Sequence, residues 1–206
     1  MARLNVNPTR MELKKLKVRL DTAKRGHKLL KDKSDEMVRR FSVIIKENKR
    51  LRDEVERELS ETLKQFSIAR SVTPAYQAET AFSMPSVAVV AECDTGSIMS
   101  VAVPVVSIVE QRRFEGLPYA YAEITGEADC SVERAAALIP KMVKLAEVEK
   151  TARLLAAEIE RNKRRVNALE YVMIPQLEET IKYIKSKLDE NERAAVIRLM
   201  KVKSKA

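Results

Sequence analysis

One seam runs through the first third of the chain. Leu13, Leu16, Leu20, Ala23, His27, Leu30, Ser34, Met37, Phe41, Ile44, Asn48, Leu51 and Val55 follow at alternating steps of three and four. That spacing averages 3.5 residues, which keeps one stripe facing a partner helix and winds the pair left-handed. Between Thr9 and Arg70 no proline interrupts it, and Gly26 is its one glycine. A helix of about 60 residues is about 90 Å long. A rod of that length cannot bury its stripe against itself, so the rest of the chain must supply the partner.

Composition agrees with long helices. Of 206 residues, 33% are charged and 4% aromatic, with no Trp and 4 Gly. This argues against a barrel, a sandwich or a dinucleotide-binding core and for helices rich in Lys, Arg, Glu, Leu and Ala. The net charge of +9 is unevenly placed: residues 1–70 hold 20 Lys/Arg against 11 Asp/Glu, residues 71–132 hold 2 against 8, and residues 133–206 hold 17 against 11. Two basic arms, 1–70 and 133–206, therefore flank an acidic insert, 71–132.

Thr9 is placed to cap the first helix, with Glu12 as its capping-box mate. Beyond Val55 the apolar positions Leu59, Leu63 and Phe66 follow at steps of four, four and three. Such a slip locally unwinds a coiled coil, and the pair is expected to open there. The insert is punctuated by Pro74, Pro85, Pro104 and Pro118. Two runs rich in β-branched residues, Val87–Cys93 and Ile98–Val109, predict a β-hairpin over about 87–109, turning at Asp94-Thr95-Gly96-Ser97. Pro104 cannot donate to a ladder, so its strand should be an edge or carry a bulge there. Arg112 to Gly126 reads as a loop whose Tyr119 and Tyr121 can pack on a helix.

A second long helix is predicted from about Ser131, which can cap it. Ala152, Leu155, Ile159, Asn162, Val166, Leu169 and Met173 repeat the seam, and Leu177, Ile181, Ile184, Leu188, Asn191 and Ala195 continue it after one slip. Pro140 and Pro175 fall inside; a bend is expected at Pro175, either a tolerated kink or a functional one. One compact insert joins the two helices, so they must double back. The fold class expected is mostly α: a long antiparallel two-helix left-handed coiled coil with a small β-hairpin insert. If its ends are flush, positions whose numbers total about 207 face each other. Asn48 and Asn162 then lie in neighbouring layers, either as register devices or as tolerated polar groups.

Catalytic signatures are missing: there is no Gly-rich phosphate loop, nucleophile elbow or paired-histidine metal motif. His27, the single histidine, sits on the seam, which is the position of a packed residue. No cofactor is expected. Cys93 and Cys130 have no metal-type spacing and read as reduced thiols. The first eight residues have no apolar signal core, and the apolar stretch from Val87 to Val109 is broken by Glu92, Asp94, Gly96 and Pro104, so direct membrane insertion is not expected. The basic load admits three readings: solubility, an acidic protein partner, or nucleic acid. The aromatic interleaving of single-strand binders is missing.

The ends carry a resemblance. Asn5-Val6-Asn7-Pro8-Thr9-Arg10 and the run from Arg25 through Gly26 and His27 to Lys33 resemble the start of the D subunit of V-type ATPases, the vacuolar and archaeal/bacterial rotary enzymes. The run Arg164-Arg165-Val166-Asn167-Ala168-Leu169-Glu170-Tyr171, with Ile174-Pro175, is similar to the C-terminal signature of the D subunit, as is Leu188 to Arg193. The family motif thus falls on Asn5, Pro8, Gly26, His27, Arg165, Asn167, Glu170 and Pro175. The resemblance implies a central rotor shaft that performs no bond chemistry. It implies a coiled coil standing inside the ring of A and B nucleotide-binding subunits. The lower part would bind the F subunit and seat on the C/d-type subunit above the membrane rotor ring. Such a shaft transmits torque for ATP synthesis or hydrogen-ion transport, and belongs in the cytoplasm, peripheral to the membrane.

On that reading, a charged outer surface suits rotation inside a sleeve. Arg10, Lys14, Lys17, Lys24 and Lys28, with Arg198, Lys201 and Lys203, are the candidate basic tip facing the A/B ring. Leu59, Leu63 and Leu145 are candidates for the interface with the F subunit, or else fill the base of the hairpin. The β-hairpin could regulate, dock or merely cap. The rival reading is a free-standing basic coiled-coil adaptor for protein or nucleic acid.

Overall fold

The computed structural model describes residues 4–83, 85, 87–113, 119 and 125–204. The elements are α1 (Arg10–Val72), α2 (Ala75–Ala81), β1 (Val87–Ile98), β2 (Val101–Arg113), α3 (Gly126–Ala168), a π-helical turn (Leu169–Met173) and α4 (Ile174–Lys203). They fall into two compact units, Met1–Val38 with Ile159–Ala206, and Arg39–Glu158. The chain is mostly α, its long helices packed as a coiled coil, with one small antiparallel sheet.

In the first unit the start of α1 packs against the end of the chain. Thr9 caps α1: its Oγ1 accepts the Glu12 N–H at 3.2 Å. The other half of the capping box is not made, because the Thr9 N–H donates to the Asn7 carbonyl. The two helices run antiparallel, since partners fall in number on one helix as they rise on the other: Arg10 with Glu192, Lys24 with Glu178, His27 with Glu170 and Met37 with Asn162. A flush pairing sets Arg10 against Ile197; the observed partner is Glu192. The helices are not flush because α1 begins nine residues in, at Arg10, while α4 continues to Lys203. Asn162 consequently meets Met37, its Nδ2 donating to Sδ at 3.4 Å. Asn48 belongs to the second unit, where it is half-buried.

Leu16, Ala23, Leu177 and Ile184 form the core of this unit, and Leu13, Leu20, Ile174, Ile181 and Leu188 close around it. Each fully buried aliphatic side chain contributes about 1.5–3 kcal/mol. The slip expected near Met173 is absorbed by the π turn. The Ile174 N–H donates to the Leu169 carbonyl, five residues back, so the turn holds one extra residue. The seam steps from Leu169 to Ile174 and Leu177, and Met173 is turned outward. Pro175 follows directly, at the first turn of α4, where its missing N–H is best tolerated.

In the second unit the stripe of α1 does not slip. After Val55 it continues through Glu58, Thr62, Gln65 and Ala69, at three and four in turn. The seam turns polar or small, and Leu59 and Leu63 point away from it. Phe66 meets Phe82 edge to face at 5.2 Å, and Phe82 meets Tyr119 at 5.9 Å. Tyr119 donates to Asp129, in the first turn of α3, at 2.7 Å. Tyr121 lies outside the described residues. The second long helix starts at Gly126, earlier than expected; Ser131 is a buried interior residue whose hydroxyl donates to the Ala128 carbonyl.

The hairpin is longer than the sequence suggests, and its turn lies elsewhere. Val87 to Ile98 pairs with Val101 to Arg113, and Met99 and Ser100 form the turn with φ of 52° and 71°. Two positive φ values are what a tight hairpin turn needs, but neither Met nor Ser advertises them. Asp94-Thr95-Gly96-Ser97 is ordinary strand. A Cβ at Gly96 would stand 3.0 Å from Val105 Cγ2, so a side chain there would press on that methyl. The bulge falls between Val90 and Ala91, and Pro104 pairs with Thr95. In a two-stranded sheet every strand is an edge, which accommodates the proline. The Glu147 carboxylate of α3 accepts the Val106 N–H at 3.3 Å and anchors the hairpin.

Candidate functional site

The described residues present surfaces rather than a cleft with converging reactive groups. In the first unit, Lys14, Lys17, Lys24 and Lys28 each follow a seam residue, namely Leu13, Leu16, Ala23 and His27. They therefore flank the seam and span about 27 Å from Arg10 to Lys28, at 1.5 Å per residue. Two of these cations are committed within the unit. Arg10 pairs with Glu192, and Lys24 pairs with Glu178 at 2.6 Å. Pairs flanking the seam set register and helix direction. Lys14, Lys17 and Lys28 are exposed.

The family-motif residues are partly brought together. His27 Nε2 lies 3.3 Å from the Glu170 carboxylate, joining the two distant motifs across the helix pair. Asn5, Pro8, Arg165 and Asn167 are exposed, and a side chain at Gly26 would meet nothing within 4 Å. Leu4 donates its N–H to Thr180 Oγ1 at 3.2 Å, so the lead-in runs back along α4.

That leaves the end of α4 bare. Beyond Glu192, the last residue paired with α1, the helix continues for about 16 Å, at 1.5 Å per residue. Val196, Ile197, Leu199, Met200 and Val202 are all exposed there, Leu199 at 69%. At about 100° per residue these side chains point around most of the helix. Arg198, Lys201 and Lys203 stand between them, also exposed. Sequence reasoning registered the basic residues and missed the apolar ones. The signal was there: an apolar run continuing past the last seam position.

In the second unit, Leu59, Leu63 and Ile68 lie exposed on α1, lining a shallow groove with Ser60, Lys64 and Ser67. Leu145 is half-buried on α3. A separate apolar pocket of about 380 Å³ is lined by Leu59, Thr62, Phe82, Ala136, Leu138 and Met142, among others. Leu59 thus borders both. Ile68 was missed by sequence reasoning, although it too lies off the seam.

Beside this patch, Lys141 bridges Glu54, at 2.9 Å, and Glu58. Hydrogen bonds to Glu58 and Glu54 hold the Lys141 ammonium above the usual lysine range. The hydrogen bond from Lys141, and then its charge, hold the Glu54 carboxyl below the usual carboxylate range. A depressed carboxyl stabilises the fold above its unfolded value and loses that contribution as pH falls through its folded value. The raised lysine contributes below its unfolded value and loses this as pH rises through its folded one. The second unit should therefore lose stability on acidification below the carboxylate range, and Lys141→Met should flatten that acid arm. Melting temperature against pH checks this; the groups are partly exposed, so the change is small.

Among the described residues, no group of three His, Cys, Asp or Glu side chains could hold a metal ion, and no helix is long and apolar enough to cross a membrane. A sequence-family model for the D subunit of ATP synthase matches residues 12–204. The V-type ATP synthase D subunit of a Thermoanaerobacter species is 52% identical over 203 residues, covering 98% of this chain and 97% of the relative. That of Clostridium botulinum is 52% identical over 207 residues, covering 98% and 95%. That of Clostridium novyi is 51% identical over 207 residues, covering 99% and 96%.

Proposed function

The chain belongs to the D-subunit family of ATP synthases, and we propose that this central-stalk component of a V-type rotary ATPase is a non-catalytic shaft turning inside the ring of A and B subunits. The observation that carries this reading is the bare end of α4, apolar around most of its circumference. A helix end apolar around most of its circumference is covered only by a partner that wraps it. Hydrophobic contact is also non-directional, so such an end keeps similar contact at every angle within a sleeve. This differs from the charged bearing surface expected from sequence. The basic residues between the apolar ones, Arg198, Lys201 and Lys203, supply the asymmetry by which a turning shaft distinguishes three catalytic positions.

On the same reading the chain is cytoplasmic and peripheral to the membrane. It seats on a C/d-type subunit, takes no cofactor of its own and binds no nucleic acid. The F subunit docks on the exposed Leu59–Leu63–Ile68 patch. Burying three large aliphatic side chains there gives a partner several kcal/mol. The free-standing adaptor reading is set aside, because full-length kinship is to stalk subunits.

The test is purification from native membranes. The chain should co-purify with the A, B and F subunits. Leu59→Asp with Leu63→Asp should release the F subunit while helicity by circular dichroism is kept, since neither side chain is buried in the seam. Recovery of the chain without the A and B subunits refutes the shaft. Retention of the F subunit by the double variant moves its interface elsewhere.

A further inference from the structure

The two runs that carry the family resemblance meet at the π turn, where the His27 ring reaches the Glu170 carboxylate at 3.3 Å. In the rest of this unit the seam advances by three or four residues, so two or three face outward between seam positions. From Leu169 to Ile174 it advances by five, and four consecutive residues, Glu170 to Met173, are exposed. Glu170 reaches back to His27. Tyr171, Val172 and Met173 are left on the surface, Tyr171 at 63%. The extra residue thus gathers three large apolar side chains into one outward block. Turns of this kind recur at functional positions.

The surroundings are basic. Residues 24–33 hold five Lys/Arg against one Asp/Glu, and residues 161–173 hold four against one. Lys28 and Lys31 stand within about 6 Å of the His27 level along α1, and Arg165 is about 9 Å from Tyr171 along its own helix, at 1.5 Å per residue. Among the described residues these three cations and Lys163 are exposed and make no ion pair. The carboxylates of Glu160 and Glu178 are committed to Arg164 and Lys24.

The geometry points to a contact surface for an acidic, amphipathic segment of another polypeptide, one presenting Asp or Glu beside large apolar side chains. Charge selects its sign. A partner rich in carboxylates is drawn in, and a second copy of this chain, carrying the same cations, is repelled. Val172 and Met173 need apolar contact, which a phosphate backbone does not give. One tyrosine is also too few for the successive stacked bases by which single strands are held. This goes beyond the shaft reading and its contact with the F subunit. The surface lies about 45 Å along α4 from Lys203, at 1.5 Å per residue, and in a different unit from Leu59 and Leu63.

Footprinting tests it. Hydroxyl radicals oxidise exposed Tyr and Met side chains, and carbodiimide joins a lysine to a carboxylate in contact with it. Tyr171 and Met173 should be oxidised in the isolated chain and lose that oxidation in whatever assembly the chain is recovered in from native membranes. There Lys28, Lys31 or Lys163 should be amide-linked to an Asp or Glu of another polypeptide. Lys28→Gln with Lys31→Gln and Lys163→Gln should abolish the link, and Tyr171→Ser with Val172→Ser should restore oxidation of Met173. Both variants should keep their helicity by circular dichroism, since every side chain replaced is exposed. Equal oxidation in both preparations, links only to this chain's own carboxylates, or protection reproduced by nucleic acid alone overturns the proposal. Failure of the shaft reading shows separately, as missing A and B subunits.

Discussion

Leu177→Asp unpairs the helices of the first unit. Leu177 is 1% exposed and packs with Leu16, Ala23 and Ile184 in a core of few members. An aspartate there leaves a carboxylate buried without a partner, which costs several kcal/mol even after relaxation. The loss of the leucine adds about 2–5 kcal/mol, the cost of truncating a buried aliphatic side chain. Natural domains hold only about 5–15 kcal/mol in all, so the unit has no reserve against the sum. Circular dichroism should show loss of helix, and amide exchange should lose protection in residues 10–38 and 174–192. Ile184→Val is the graded control, with an expected cost of about 0.5–1.5 kcal/mol by denaturant titration. Leu199→Asp, on the bare end of α4, should leave stability unchanged. An unaltered melting profile for Leu177→Asp would mean that this core does not hold the pair.

Removing residues 193–206 separates folding from function. The deletion ends just beyond the Arg10–Glu192 pair, so every contact described between the two helices survives. The helix pair should melt as the full chain does. In the reassembled complex, ATP hydrolysis coupled to ion movement should fall by about tenfold or more. Two further variants divide the end's contributions. Leu199→Ser with Met200→Ser removes the apolar bearing surface, whereas Arg198→Glu with Lys201→Glu and Lys203→Glu reverses its charge. Loss of coupling in the second with normal assembly supports steering by charge; failure to assemble in the first supports the sleeve. Full coupled turnover by the truncated chain would rule out a mechanical role for the end of α4.

The seam was legible because it is periodic. Burial follows the three-four positions from Leu13 to Val55 without exception, since a repeat of 3.5 specifies a partnered face whatever the partner is. Beyond Val55 the same logic misled. Leu59 and Leu63 read as a shifted seam at which the pair opens, whereas Glu58, Thr62, Gln65 and Ala69 hold an unshifted stripe and leave both leucines outside it. In a chain that works in a larger assembly, an aliphatic side chain can be committed to a surface that only another polypeptide covers. The hairpin turn misled for a local reason. Gly96 stands where strands approach closely, and positive φ falls on Met99 and Ser100.

Spacing, charge and motif are one-dimensional properties, and they suffice for much of this molecule. They specify two basic helical arms that share one seam, the acidic insert that divides them, and the family to which they belong. The offset that sets Arg10 against Glu192 and leaves the end of α4 bare belongs to the folded chain alone. So do the π turn before Pro175 and the face on which the hairpin valines stand. Each depends on how the extra residues of one strand or helix are accommodated against another. That is a competition among packings of nearly equal local cost, which no single stretch of chain can settle.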